Sequence, residues 1–262
     1  MKKTIITLFV IASLFSMPKI SFAWGARGHR LVAEIAFHYL DDSTKDIVKH
    51  YLRKTSIEDA ATWMDENKSN SYYDFMRSWH YVDIDRDSVY HVSSEKNLLT
   101  VLNSVIASLK HRENLSDSKI KEYIMMAFHL IGDLHQPLHT GYTEDKGGNT
   151  VQVTAPAYAG NLHGFWDTDI IESQNITLDD CIKMYDSFTP VEIKRIQRIN
   201  VLSWMNESRS YLDRVYDFKD GTIPQSYVDA NAPLVKKQLL IAGLRLASVL
   251  KEVFKTVPAP VQ

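Results

Sequence analysis

His129 and Asp133 stand four residues apart in a stretch of helical periodicity. At that spacing an imidazole and a carboxylate lie about 40° apart around a helix and about 6 Å along it, so they share one face and can grip one ion. Pro137 then interrupts the helix inside His135-Gln-Pro-Leu-His139, which frees His139 to face a neighbouring site that a continuous helix could not reach. His163 and Asp167 repeat the i, i+4 pairing. Upstream, Asp65 in Trp63-Met-Asp65 and His80 in Trp79-His80 each place one more candidate ligand beside a bulky ring, and His29 adds another imidazole near the start. One such pair alone is an ordinary cap or core polar feature. Two pairs around a proline break are harder to dismiss, because burying so many carboxylates and imidazoles costs several kcal/mol per uncompensated charge unless cations or saturating hydrogen bonds offset it. Metal is the economical explanation. The donors are nitrogen and oxygen, with Cys181 the single cysteine, which fits Zn²⁺ in a catalytic role; manganese or iron is the alternative.

The elements that must position these groups read mostly as helices. Leu31, Val32, Ile35, Ala36 and Tyr39 recur at three- and four-residue steps, as do Val101, Leu102, Val105, Ile106 and Leu109. Ile120 to Leu134 continues the pattern with Ile124, Ala127, Phe128 and Ile131, and Asp117 is the expected cap. Val235 to Phe254 carries the wide apolar face of a bundle helix. Between Gly147 and Gly160, paired glycines and the alternating run Thr150 to Thr154 predict a short β-hairpin or extended loop. No repeat or linker divides the chain. The expected fold class is therefore mainly α, a single-domain helical bundle with that hairpin near 147–160.

The chain has 262 residues, 45% hydrophobic and 24% charged, with a net charge of -2. That balance excludes disorder as the dominant state and a generic basic face as the route to a polyanion. A single cysteine excludes an intramolecular disulfide. Lys2 and Lys3 precede the apolar run Ile5 to Phe15, too short to span a bilayer, and Ser21 and Ala23 are the small residues a signal peptidase reads. Residues 1–23 are thus expected to be a removed signal peptide, residues 24–262 the catalytic domain, and the location periplasmic or secreted. Losing Lys2, Lys3 and Lys19 would take the net charge from -2 to -5.

Taken as an ordered set, Trp24-Gly-x-x-Gly-His29, Trp63-x-Asp65, His80-Tyr-Val-Asp83, His129-x3-Asp133-x5-His139, Gly147-Gly-Asn149 and Asn161-Leu-His163-x2-Trp166-Asp167 resemble the S1/P1 nucleases. The stretch Gln238 to Ala247 also looks like that family's last helix. The resemblance implies a helical fold of the phospholipase C/P1 nuclease type holding three zinc ions. It implies that Asp65, His80, His129 and Asp133 hold one ion, that Trp24 through its amino nitrogen and carbonyl oxygen holds a second with His29 and Asp133, and that His139, His163 and Asp167 hold the third. It further implies hydrolysis of phosphodiester bonds in single-stranded DNA and RNA to 5′-phosphate products, with 3′-nucleotidase activity and hydroxide bridging two ions as the nucleophile.

The remaining roles also follow from the resemblance. Tyr81 would stack on an unpaired base and Asp83 would hydrogen-bond it, against core packing and a loop cap as the plain alternatives. Lys68 would stabilise phosphate charge beside the catalytic Asp65 and Asp133, against a solvated helix lysine. Asn149 would orient the ligand shell, with loop capping as the equal alternative. His38, His50, His91 and His111 read as surface or structural, and His135 as a support behind the ligands. Fungal and plant relatives carry disulfides, which this chain cannot form. The rivals are a zinc phospholipase C, whose pattern ends in Glu where this chain has Asp167, and a non-catalytic zinc-binding protein. A monomer without stable membrane association is the expected state.

Overall fold

A computed structural model describes residues 24–92 and 94–255. The expected signal peptide, residues 1–23, lies outside them. Helix α1 (Ala26–Tyr39) starts behind Gly25; α2 (Asp42–Leu52) and α3 (Ile57–Glu66) follow, capped by Asp41 and Ser56, whose side chains accept from Thr44 N and Asp59 N. A 3₁₀ segment, Ser71–His80, leads to α4 (Leu98–Lys110), which opens on a capping box of Asn97 and Thr100. Helix α5 (Asp117–Leu134) is capped by Ser116, and Asp117 is its first helical residue instead of the cap. Ser116 is one residue earlier, with its hydroxyl free to turn back on Lys119 N, while an acid in the first turn meets the positive end of the helix.

Every residue of α5 from Ile124 to Leu134 is buried. A helix apolar on one stripe lies on a surface, whereas one buried all round sits in the middle of a bundle. Helices α1, α2, α3 and α4 pack around α5, and α1 also packs along the last helix, which reaches both α4 and α5. His129 and Asp133 are therefore carried into the core by the element whose other residues need to be there. Among the described residues no helix is long and apolar enough to cross a membrane.

The sequence pattern starts the last helix at Val235, but it runs from Gln225 to Phe254 with Pro233 inside. Proline removes one backbone donor and would ordinarily end the helix. Here tertiary contacts hold the turns before it: the Tyr227 hydroxyl donates to Val215 O at 2.5 Å, and Asn231 Oδ1 accepts from Arg214 Nε at 2.8 Å. The hairpin forms between Gln152–Ala155 and Tyr158–Asn161, antiparallel with Gln152 opposite Asn161. It returns the chain to Asn161, whose side chain accepts from Gly164 N and starts the turn that carries His163.

Candidate metal centre

Asp65 comes from the last turn of α3, His80 from the end of the 3₁₀ segment, and His129 and Asp133 from the last two turns of α5. Their atoms converge. His80 Nδ1 is 3.0 Å from Asp133 Oδ2, 3.0 Å from His129 Nε2 and 3.8 Å from Asp65 Oδ1, and His129 Nε2 lies 3.4 Å from both carboxylates. Four ligands about 2.1 Å from a tetrahedral ion would stand about 3.4 Å apart, so this spacing fits one Zn²⁺. The opposite oxygen, Asp133 Oδ1, is 3.3 Å from His29 Nε2, and the His29 ring stacks on His129 at 3.9 Å. His29, His129 and Asp133 thus form a second buried group that shares two residues with the first.

His139, His163 and Asp167 make a third group: Asp167 Oδ1 lies 3.5 Å from His139 Nε2, and Oδ2 lies 3.3 Å from His163 Nε2. Pro137 opens the 3₁₀ turn Pro137–Thr140 that carries His139. Asp167 sits in a π turn, Phe165–Asp169, directly after the short helix of His163, so the i, i+4 pair survives a change of helix type.

Three of the rings have one nitrogen committed to a backbone carbonyl. His129 Nδ1 donates to Ala61 O at 2.8 Å, His139 Nδ1 to His80 O at 2.6 Å, and His163 Nδ1 to Gly147 O at 2.6 Å. In each neutral ring that leaves Nε2 as a lone pair aimed at the group, the arrangement that orients metal-ligating histidines. Gln136, to which the sequence reading gave no role, donates Nε2 to Asp167 Oδ1 at 2.6 Å while its Oε1 accepts from Leu138 N at 2.6 Å. One buried amide therefore fixes a carboxylate of the third group and the turn that carries His139.

Both nitrogens of His29, Asp65 Oδ2, His80 Nε2, Asp133 Oδ1 and His139 Nε2 are buried with no hydrogen-bond partner among the described residues, and of these His29 Nε2, Asp133 Oδ1 and His139 Nε2 face into the groups. Buried orphan acceptors of this density are costly unless a cation meets them. The electrostatics agree. Burial pushes His80 down to about 4 and also lowers His29 and His163, which keeps their lone pairs available. Burial opposes the charged form of His139 too, but the Asp133 and Asp167 carboxylates outweigh it and lift the ring to about 9. Burial would raise Asp133, yet the His129 and His139 rings hold it well below the usual carboxylate range. The site draws positive charge to itself, and a divalent ion that displaces the ring proton supplies more of it.

Lys68 lies just beyond α3 instead of on it, with Nζ 2.5 Å from Asp65 Oδ1. Tyr81 is 43% exposed, so core packing does not describe it. Asp83 is half-buried, and burial pushes its carboxyl up to about 6. Asn149 is exposed and its Nδ2 donates to Lys146 O at 2.8 Å, which is the loop-capping role. Trp24 is fully buried, and Gly25 N donates to Asp167 O at 2.6 Å, so the start of α1 is tied to the third group. A side chain on Gly25 would meet Thr168 Oγ1 at 2.5 Å, which is why glycine follows the tryptophan. His38, His50, His91 and His111 are exposed. His135 is buried but faces away from the ligands: its Nδ1 donates to Ile131 O, and its Nε2 accepts from Arg245 Nη1 at 2.7 Å.

Arg209 is a second residue without a sequence signal. It donates to Thr140 O and Gly141 O at 2.8 and 2.6 Å, and to Ile84 O and Asp85 O at 2.9 and 3.0 Å. It thereby clamps the segment after His80 to the segment after His139.

Three neighbouring buried imidazole and carboxylate groups, linked at Asp133 Oδ1, which lies 3.3 Å from His29 Nε2 and 3.9 Å from His139 Nδ1, define a metal-binding site of the kind hydrolases use. The pattern of the S1/P1 nucleases matches residues 24–255, and the chain belongs to that family, a hydrolase that acts on nucleic acids. Among its relatives, Endonuclease 4 of Arabidopsis thaliana is 29% identical over 91% of each chain. Nuclease S1 of Aspergillus oryzae is 25% identical over 91% of this chain and 94% of its own. Nuclease P1 of Penicillium citrinum is 31% identical over 55% of this chain and 57% of its own.

Proposed function

We propose that this chain is an exported zinc-dependent endonuclease that hydrolyses single-stranded DNA and RNA to 5′-phosphate products and also acts as a 3′-nucleotidase. The observation that carries the metal assignment is Asp133, whose two oxygens face two different sets of imidazoles in the core. In this reading Asp65, His80, His129 and Asp133 hold one Zn²⁺, the Trp24 amine and carbonyl with His29 and Asp133 a second, and His139, His163 and Asp167 the third. Bound zinc supplies electrophilic stabilisation of the phosphoryl oxygens and water of lowered pKa.

The chain's own residues supply the rest. Asp65, Asp133 and Asp167 would carry less charge than divalent ions held at the three groups, so the site would attract a phosphodiester although the whole chain is slightly acidic. Lys68, beside Asp65, adds a cation at the mouth of the first group. The exposed Tyr81 ring offers a face to an unpaired base, worth roughly 1 to 3 kcal/mol and denied to a base held in a duplex. Asp83, two residues on, accepts from that base once it is ionised, which its raised pKa places above about pH 6.

The test incubates the mature, zinc-loaded protein with single-stranded DNA, RNA, duplex DNA and phosphatidylcholine vesicles, with and without chelator. Cleavage of both single strands, slow attack on duplex and complete inhibition by chelator are expected. Hydrolysis of lipid with polynucleotide untouched would favour the phospholipase alternative, and bound zinc without any hydrolysis would make the protein a metal carrier.

Export enters the chemistry through Trp24. A free α-amine has a pKa of about 7.7 to 8.0 and offers a lone pair to metal, whereas an amide nitrogen is a poor ligand. One extra residue before Trp24 is expected to lower both zinc content and turnover. Equal occupancy and equal rate in the two forms would remove the amine from the ligand set.

A further inference from the structure

We infer that Arg77 forms a second phosphate subsite, one that engages a phosphate flanking the scissile one and so separates polynucleotides from single-phosphate substrates. The inference rests on the nuclease reading above. Three observations place the residue. First, a cavity of about 670 Å³ is lined by Asp65, Glu66, Lys68, Ser69 and Arg77, with Glu66 accepting from Thr62 Oγ1, so Arg77 shares one space with a carboxylate of the first group. Second, Arg77 and His80 are three residues apart in the 3₁₀ segment Ser71–His80, where residues i and i+3 eclipse. Arg77 therefore stands on the same edge as His80, about 6 Å before it at roughly 2 Å per residue.

Third, the side chain is held ready. Arg77 Nη2 donates to Lys68 O at 3.1 Å, and both Nε and Nη2 approach Asp74 Oδ1, at 3.0 and 2.9 Å, so among the described residues Nη1 is the open edge of the guanidinium. The side chain is 62% exposed. An exposed Arg–Asp pair contributes little by itself, and a phosphate offers the guanidinium a stronger, forked partner. The backbone contact to Lys68 couples the position of Arg77 to that of the lysine beside Asp65.

The next edge of the same segment carries Tyr72 and Phe75, again three apart, 74% and 54% exposed. Phe75 rests edge-on against Trp79 at 5.1 Å, and Tyr72 against Tyr73 at 4.9 Å, so both rings are braced with a face to solvent. Single exposed aromatics are common on protein surfaces and signify nothing alone. Beside a cation that opens on the cavity, they match the alternation of phosphate contact and base stacking that unpaired strands use.

The test compares wild type with Arg77→Ala and Arg77→Lys, each checked for fold by circular dichroism and for metal content. The substrates are a single-stranded oligodeoxynucleotide and bis(p-nitrophenyl) phosphate, whose lone phosphate cannot reach both subsites. In Arg77→Ala the oligonucleotide KM is expected to rise roughly three- to tenfold with kcat little changed, and the slope of log KM against log salt to fall by about 0.7. Arg77→Lys should recover part of the KM. Hydrolysis of the small diester and metal content should not change. An unchanged oligonucleotide KM and salt slope would overturn the subsite, and so would an equal loss on both substrates, which would mark a structural effect on the cluster. Wild type inert on both substrates with full metal would overturn the nuclease reading, and the subsite with it.

Discussion

Asp133→Ala is expected to lower turnover on single-stranded DNA roughly a thousandfold or more, beyond the ten- to hundredfold typical of losing an outer partner of a metal ligand. The residue is fully buried, with Oδ1 3.3 Å from His29 Nε2 and Oδ2 3.0 Å from His80 Nδ1. Alanine removes a ligand from two groups at once and leaves His29, His80 and His129 facing one another with less negative charge between them. Asp133→Asn keeps the volume but turns an amide N–H toward cations or imidazoles, so it should fare little better. Metal analysis is expected to show loss at the two groups that share Asp133, while the His139, His163 and Asp167 group stays filled. A variant that kept its full metal content and more than a tenth of its activity would contradict the bridging role.

The second large effect is expected from a single methyl group. Gly132 lies in the core helix against His29, and a Cβ there would fall 2.7 Å from His29 Nδ1 and 2.9 Å from Cε1. The ring has little freedom to retreat, because it is stacked on His129 at 3.9 Å. Helix propensity alone favours alanine over glycine by about 1 kcal/mol, which offsets part of the roughly 1 to 3 kcal/mol of overpacking. Gly132→Ala should therefore keep the fold, with a melting temperature within several degrees of wild type, while His29 is driven off its position. Loss of one metal per chain and a fall in turnover of about a hundredfold are the expected results. Normal metal content and rate would show that His29 is not a required ligand.

The parts of this site that follow a local period were legible in the sequence. His129 and Asp133 could be paired because the helical repeat is a property of the backbone itself, and His139 could be separated from them because proline acts locally. His163 and Asp167 were paired by the same rule, although the turn between them is a π turn; the extra residue per turn changes the angle without moving them to opposite faces. The ring tautomers were not legible. They depend on the carbonyls of Ala61, His80 and Gly147, which come from other elements and offer no side chain to read. Gln136 was visible only as a letter between a histidine and a proline, since its function is a bond to Asp167, thirty-one positions away. Arg209 acts on four carbonyls, for which no pattern of side chains exists.

The fold shows the same division. The apolar stripes of α1, α4 and α5 mark their buried faces, but the first turns of the last helix are held by Tyr227 and Asn231 through contacts to Val215 and Arg214. Local rules place a boundary at Pro233, and tertiary hydrogen bonding overrides it. Asn149 shows how a motif position can also serve its own loop. It stands in a motif shared with the resembled family, and its amide closes its own turn at Lys146.

The most direct test of the central claim is a titration of metal-free mature protein with Zn²⁺ while hydrolysis of a single-stranded oligonucleotide is followed. Assembly of the shared pair around Asp133 and of the separate group at His139, His163 and Asp167 predicts that full activity requires three equivalents per chain. Full activity at one equivalent, or intact polynucleotide at saturating zinc, would contradict it.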